Sequence, residues 1–243
     1  MYLQRMNLGV PPVVLKAARK HTASLVFLHG LGDTGLGWAG ALNTIKPHYL
    51  KVWLLTHSIL SNLSDLSVKV ICPTAPMLPV TLNGGMQMPA WYDIRSLEED
   101  DKDREDMEGV DWAVNFVMDI VREEEEKHGI PAERMMVGGF SQGGAVSLRA
   151  ALTSGRPLAG CIALSCYLPG DVSQYKDTAT TPVFQAHGDQ DQVVTYARGK
   201  LTSEVVSSLV KDHQFITYPD MGHEATMDEM EDIKKWIDLK LSL

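Results

Sequence analysis

Residues 139–143 read Gly-Phe-Ser-Gln-Gly, one hydroxyl between two glycines, after an apolar run (Met135 to Val137) and before a helical pattern that ends at Gly155. A serine in that setting is built to attack a carbonyl carbon. A tight strand-to-helix turn lifts its oxygen above the sheet edge, and side chains two residues before and after it would collide, so glycine is required there. The same turn aims the first N–H groups of the next helix, at the positive end of its dipole, toward whatever bonds to the Ser141 oxygen. The competing reading of so many glycines is a phosphate cradle, but the lysine of a Walker motif and the G-x-G-x-x-G spacing are both missing.

A serine hydroxyl is a weak nucleophile until a base takes its proton, and the base needs a third group to fix its tautomer. Where the serine sits on such a turn, an acid and then a histidine follow it in chain order, on loops beyond later strands. Two aspartates qualify, Asp189 and Asp191 in "GDQDQVV", after the strand candidate at 182–188. Spacing alone leaves both open. The histidine is His223 in "DMGHEAT", after the run at 214–219 and ahead of the final helical pattern. The Gly-rich turn "FLHGLGDTG" (27–35) supplies backbone N–H groups for the developing oxyanion, with Leu31 the donor expected beside Gln142. His29, in the same turn, comes too early in chain order to be the base and is read as a structural hydrogen-bonding residue.

These groups need a scaffold, and its pattern is regular. Apolar runs of strand length at 24–30, 68–74, 134–140, 159–165, 182–188 and 214–220 each end in Gly, Pro, Asp or Ser. Helical periodicity lies between several of them, as in Val110, Ala113, Val114, Val117 and Val121, closed by Gly129 and Pro131, and again in Met227, Met230, Ile233 and Ile237. Strands that are apolar throughout and alternate with helices demand a mostly parallel sheet covered on both faces. The expected fold is therefore α/β, in one domain spanning the 243 residues, with no internal repeat or long linker to divide it.

Composition closes off other functions. A net charge of −9 argues against nucleic acid, which needs a basic face. Cys72, Cys161 and Cys166 form no C-x-x-C pair, so neither a disulfide framework nor a metal site is indicated and a cytoplasmic setting is expected. No export signal or lipid anchor is read at the N-terminus. The acidic runs at 98–108 and 122–129 read as solvated helix ends.

Five stretches in order, "FLHGLGDTG", "ICPTAP", "PVTLNGGMQMPAWYDI", "GGFSQGGAVSL" and "HGDQDQVV", resemble the acyl-protein thioesterases and their carboxylesterase and lysophospholipase relatives, over nearly the whole chain from about residue 10. The resemblance implies an α/β-hydrolase fold and cleavage of thioesters between acyl chains and protein cysteines, with lysolipids and small esters as further substrates and no cofactor. It carries the acid role onto Asp191, leaves Asp189 structural, and lines the acyl channel with Trp91, Ile94 and Val193. A general esterase without a protein substrate, and a hydrolase fold kept only for binding, are the alternatives. Two departures stand out. Gln192 occupies the position where the family has proline after the aspartate. A segment of about eighteen residues (50–67), apolar in part yet too short and polar to span a bilayer, is inserted before "ICPTAP" as a surface excursion or splice product, or else a lid making transient membrane contact.

Overall fold

The computed structural model describes residues 10–17, 20–45, 67–97, 104–175 and 180–241. In chain order the elements are β1 (Val13–Leu15), β2 (Ala23–Leu28), α1 (Gly35–Ile45), β3 (Val68–Cys72), β4 (Met77–Val80), β5 (Met86–Pro89), α2 (Met107–His128), β6 (Met135–Phe140), α3 (Gln142–Thr153), β7 (Gly160–Leu164), β8 (Val183–Gly188), α4 (Tyr196–Leu209), β9 (His213–Tyr218) and α5 (Met227–Leu241). All six runs read as strands are strands, and they form a parallel sheet in the order β3-β2-β6-β7-β8-β9, with β1 added antiparallel at one edge. The strands β2, β7 and β8 are buried at every residue, which is why their sequences show no alternation.

Two apolar layers cover the sheet. One is built on α2 and α3, with Phe116, Val117, Val121 and Leu148 against Val26, Val137 and Ala163; the other uses Trp38 and Leu42 of α1 and Ile233, Trp236 and Ile237 of α5 against Phe27, Met136 and Phe184. Each fully buried side chain of this size contributes about 1.5–3 kcal/mol. Helix α2 stops where the sequence predicts: Gly129 adopts φ 66°, and its N–H caps the carbonyls of Glu124 and Glu125.

The order places chemistry at defined points. Between β2 and β6 the chain reverses its direction of winding, and register pairs Leu28 with Gly139, so the loops that follow these strands emerge side by side. Strands β8 and β9 are likewise neighbours, with Gly188 opposite Tyr218, and the next loops carry the aspartates and His223.

Two expectations need correction. Within 122–129 the side chain of Glu124 turns inward, where it accepts from Ser24 Oγ at 2.7 Å and pairs with Lys69 at 2.5 Å. In the run 98–108 Glu105 is buried and pairs with Arg198 at 3.2 Å, while residues 98–103 lie outside the described residues. The inserted segment is also outside them, except for Ser67, whose carbonyl accepts the Thr22 N–H at 2.9 Å.

Candidate active site

Ser141 sits at φ 53° and ψ −120°, a strained pairing for a residue with a side chain, worth on the order of 1–3 kcal/mol. Close packing fixes it there. A Cβ on Gly139 would overlap the carbonyl of Gly143, and one on Gly143 would overlap the carbonyls of Leu28 and His29. Glycine at 139 thus answers the turn itself, as the sequence suggests, whereas glycine at 143 answers the crossing of α3 over the end of β2. The Ser141 N–H donates to Leu164 O at 2.8 Å, tying the turn to β7.

The Gly-rich turn after β2 faces this serine. A Cβ on Gly30 would stand 3.4 Å from that of Ser141. Among the described residues no acceptor takes the N–H of Leu31, and Gln142 heads α3, where no earlier helical carbonyl exists to accept its N–H. His29 is fully buried, with Nδ1 2.7 Å from Gly30 O and Nε2 accepting the Ala75 N–H at 2.9 Å, so both ring nitrogens are engaged. Burial lowers its pKa, and its role is to hold the turn against the residues after β3. Gly35 packs against the carbonyls of Cys72 and Pro73, where a Cβ would collide with them.

On the neighbouring loops, His223 Nδ1 donates to Asp191 Oδ2 at 2.7 Å. Asp191 Oδ1 accepts the N–H groups of Val193 and Val194 at 2.9 and 3.0 Å. Burial pushes the Asp191 carboxyl up, but hydrogen bonds from His187 and His223 more than reverse this and hold it well below the usual carboxylate range. Asp189 has other work. Its Oδ1 accepts the Asp220 N–H at 2.8 Å, joining the loops after β8 and β9. The His223 ring packs on Phe140, the residue before Ser141, at 4.7 Å between centroids.

One cavity of about 510 Å³ joins these groups. Ser141, His223, Leu31 and Gln142 line it together with apolar Trp38, Leu82, Ile94, Leu97, Phe140 and Val193. Of the three residues that the resemblance assigns to an acyl channel, Ile94 and Val193 line this cavity. Trp91 does not: it is fully buried behind the turn, its Nε1 donating to His29 O at 2.9 Å. Among the described residues no cluster of His, Cys, Asp and Glu could hold a metal ion.

The sequence profile of the phospholipase/carboxylesterase family matches residues 11–241. This chain belongs to that family. It is 38% identical over 240 residues to acyl-protein thioesterase 1 of Neurospora crassa, covering 95% of this chain and 92% of that protein. It is 37% identical to acyl-protein thioesterase 1 homolog 1 of Dictyostelium discoideum, covering 92% and 93%. Among solved structures it is similar to acyl-protein thioesterase 2 of Zea mays, with a TM-score of 0.77 at 28% identity over 95% of this chain and 99% of that one. SOBER1 of Arabidopsis thaliana is comparable, at TM-score 0.75 and 29% identity over 90% and 99%. The chain is a hydrolase of the thioesterase and esterase kind with an α/β-hydrolase fold.

Sequence reasoning misses the supports of this hydrolase site. The Gln142 side chain accepts the Trp91 N–H at 2.9 Å and donates to Tyr92 O at 2.8 Å, so the residue after Ser141 also anchors the segment behind the Gly-rich turn. Tyr167, on the cavity wall, shares a 2.8 Å hydrogen bond with Tyr92 and lies 3.5 Å under the Arg198 guanidinium. Arg198 is in turn held by Glu105, whose other oxygen accepts the Gly170 N–H. A buried pair of this kind leaves no mark in a sequence except one Glu inside a solvated-looking run.

Proposed function

We propose that this chain hydrolyses acyl thioesters on S-acylated proteins, with Ser141 as nucleophile, His223 as base and Asp191 as the group that orients it. The observation that carries the reading is the 2.7 Å bond between His223 and Asp191 at the mouth of an apolar cavity that Ser141 and the two candidate N–H donors also line. In the first step the Ser141 oxygen bonds to the thioester carbonyl carbon while its proton passes to His223. The tetrahedral oxyanion accepts from Leu31 and Gln142 N–H, contacts worth roughly 3–4 kcal/mol each in other serine hydrolases. Collapse breaks the carbon–sulfur bond, and the departing cysteine sulfur takes the proton from His223. Water, deprotonated by His223, then releases the carboxylic acid and restores the serine.

The cavity's aliphatic and aromatic lining supports a long acyl group rather than a polar one. The same arrangement cleaves oxygen esters, and the family's description as phospholipase/carboxylesterase favours lysolipids as a second substrate class. Cys72, Cys161 and Cys166 are buried and joined in no disulfide among the described residues, which fits a cytoplasmic place of action. Among the described residues no helix is long and apolar enough to cross a membrane.

The test is labelling with a fluorophosphonate followed by peptide mapping, together with turnover of a palmitoylated peptide, a lysolipid and short esters by the parent and Ser141→Ala. Label on Ser141 and highest turnover on the palmitoylated peptide are expected. A Ser141→Ala protein that releases acyl chains at the parent rate ends the reading, and so does a parent whose Ser141 stays unlabelled.

A further inference from the structure

Gln192 follows Asp191 and no proline stands in the loop 189–195, so something other than a fixed φ must keep the carboxylate in place. The side chain that does so comes from the end of β8. His187 is fully buried, and its Nε2 lies 2.8 Å from Val194 O and 3.4 Å from Asp191 Oδ2. Both neighbours of Nε2 are acceptors, so the ring carries its proton on that nitrogen. The other nitrogen, Nδ1, is buried and has no hydrogen-bond partner, which fits an unprotonated nitrogen pressed against α4. There Gly199 leaves the room, since a Cβ at that position would collide with Nδ1. Asp191 Oδ1 is already occupied by the Val193 and Val194 N–H groups, so the orientation of Oδ2 toward His223 is decided by what else Oδ2 can accept.

We propose that His187 is a positioning residue: a buried donor that straps Val194 O and Asp191 Oδ2 to the end of β8, fixing the oxygen that holds His223, with Gly199 as the socket for its ring. His187 is absent from the cavity lining and from any path to substrate, so it acts only through Asp191. The proposal rests on the reading that Asp191 orients His223, and the test separates the two.

Steady-state kcat and KM for a short-chain acyl thioester, and the downfield proton NMR signal of the His223–Asp191 hydrogen bond, are measured on the full chain carrying His187→Leu, His187→Gln, Gly199→Ala or Asp191→Asn. Loss of a residue that orients a catalytic ligand lowers activity by roughly 10- to 100-fold elsewhere. His187→Leu is expected to lower kcat on that scale with KM nearly unchanged, and to shift or broaden the downfield signal. His187→Gln, whose amide nitrogen lies about as far along the side chain as Nε2, is expected to restore most of both. Gly199→Ala, which displaces the ring without removing it, is expected to fall in the same direction and decides the matter if His187→Leu does not fold. Parent kcat and an unmoved signal in Gly199→Ala or a folded His187→Leu would overturn the proposal, as would equal losses in His187→Leu and His187→Gln. If Asp191→Asn itself turns over at the parent rate, it is the assignment of Asp191 that fails.

Discussion

Replacing Glu229 by glutamine should stabilise the protein, and more so as pH rises. Glu229 lies in the first turn of α5, six residues after His223, with no exposed surface and no hydrogen-bond partner of good geometry for either carboxyl oxygen. Thr226 supplies one half of a capping box, its Oγ1 accepting the Glu229 N–H at 3.4 Å, but the return bond from the carboxyl is not closed. Burial pushes the carboxyl from 4.5 to about 8, against a small pull from the Thr226 backbone. Between those values the folded state keeps a proton that the unfolded chain has released, so stability is full below pH 4.5 and declines as pH climbs toward 8. At about 1.4 kcal/mol per pH unit, the loss is on the order of 3 kcal/mol at pH 7 and 4–5 kcal/mol above pH 8. Glutamine keeps the shape and removes the charge. Its advantage should be small at pH 5 and about 3 kcal/mol or more at pH 8.5, which for a chain of this size is roughly 5–10 °C in melting temperature. Thermal unfolding of parent and variant at the two pH values measures this directly. Melting curves whose separation is the same at both would mean that Glu229 is solvated or partnered, and the reasoning would be wrong.

Asp191→Asn should lower kcat by about 10⁴-fold while leaving the far-ultraviolet spectrum unchanged, because the amide favours the wrong imidazole tautomer; Asp189→Ala, by contrast, should reduce stability through the freed Asp220 N–H yet retain most turnover. Gln142→Ala leaves the Trp91 N–H and Tyr92 carbonyl unpaired inside the protein, a cost of about 1–3 kcal/mol each in denaturant titration, with a fall in kcat from a loosened oxyanion turn. Ile94→Trp, on the cavity wall, should shift preference toward shorter acyl chains in a graded series of thioesters, and an unchanged chain-length profile would place the acyl group elsewhere. Phe116→Ala should cost about 3–5 kcal/mol in urea unfolding, since its ring is wholly buried under the sheet.

The parts of the fold that were legible are those where one physical force acts alone. Strands buried on both faces write themselves as apolar runs, and α2, α3 and α5 show an apolar stripe or a glycine stop. Helix α4 shows neither, because its buried face is made of Arg198, Gly199, Thr202 and Ser203, small and polar groups seated against β8, with Val206 the sole hydrophobic residue among them. Strand β1 and the β4–β5 hairpin are too short and too exposed to register as strands. The site divides in the same way. Ser141 and His223 follow from turn chemistry and chain order, but spacing leaves Asp189 and Asp191 open; both reach the loop after β9, and they differ in what they bond there, the Asp220 N–H or the His223 ring. Glu105 and Glu124 read as surface charge, and only the folded chain shows what covers them, as it does for Glu229. Trp91 illustrates the reverse error, an aromatic residue in a site motif whose ring supports the site from behind.

The glycines that let α3 lie across the ends of β2 and β6 leave Ser141 almost no latitude: backbone touches backbone on both sides of it. The shape of the cavity is set elsewhere, by residues such as Leu82, Leu97, Val193 and Ala225, which border it from separate loops. Substitutions on those loops would reshape what fits while the hydroxyl stays where the backbone clamps it.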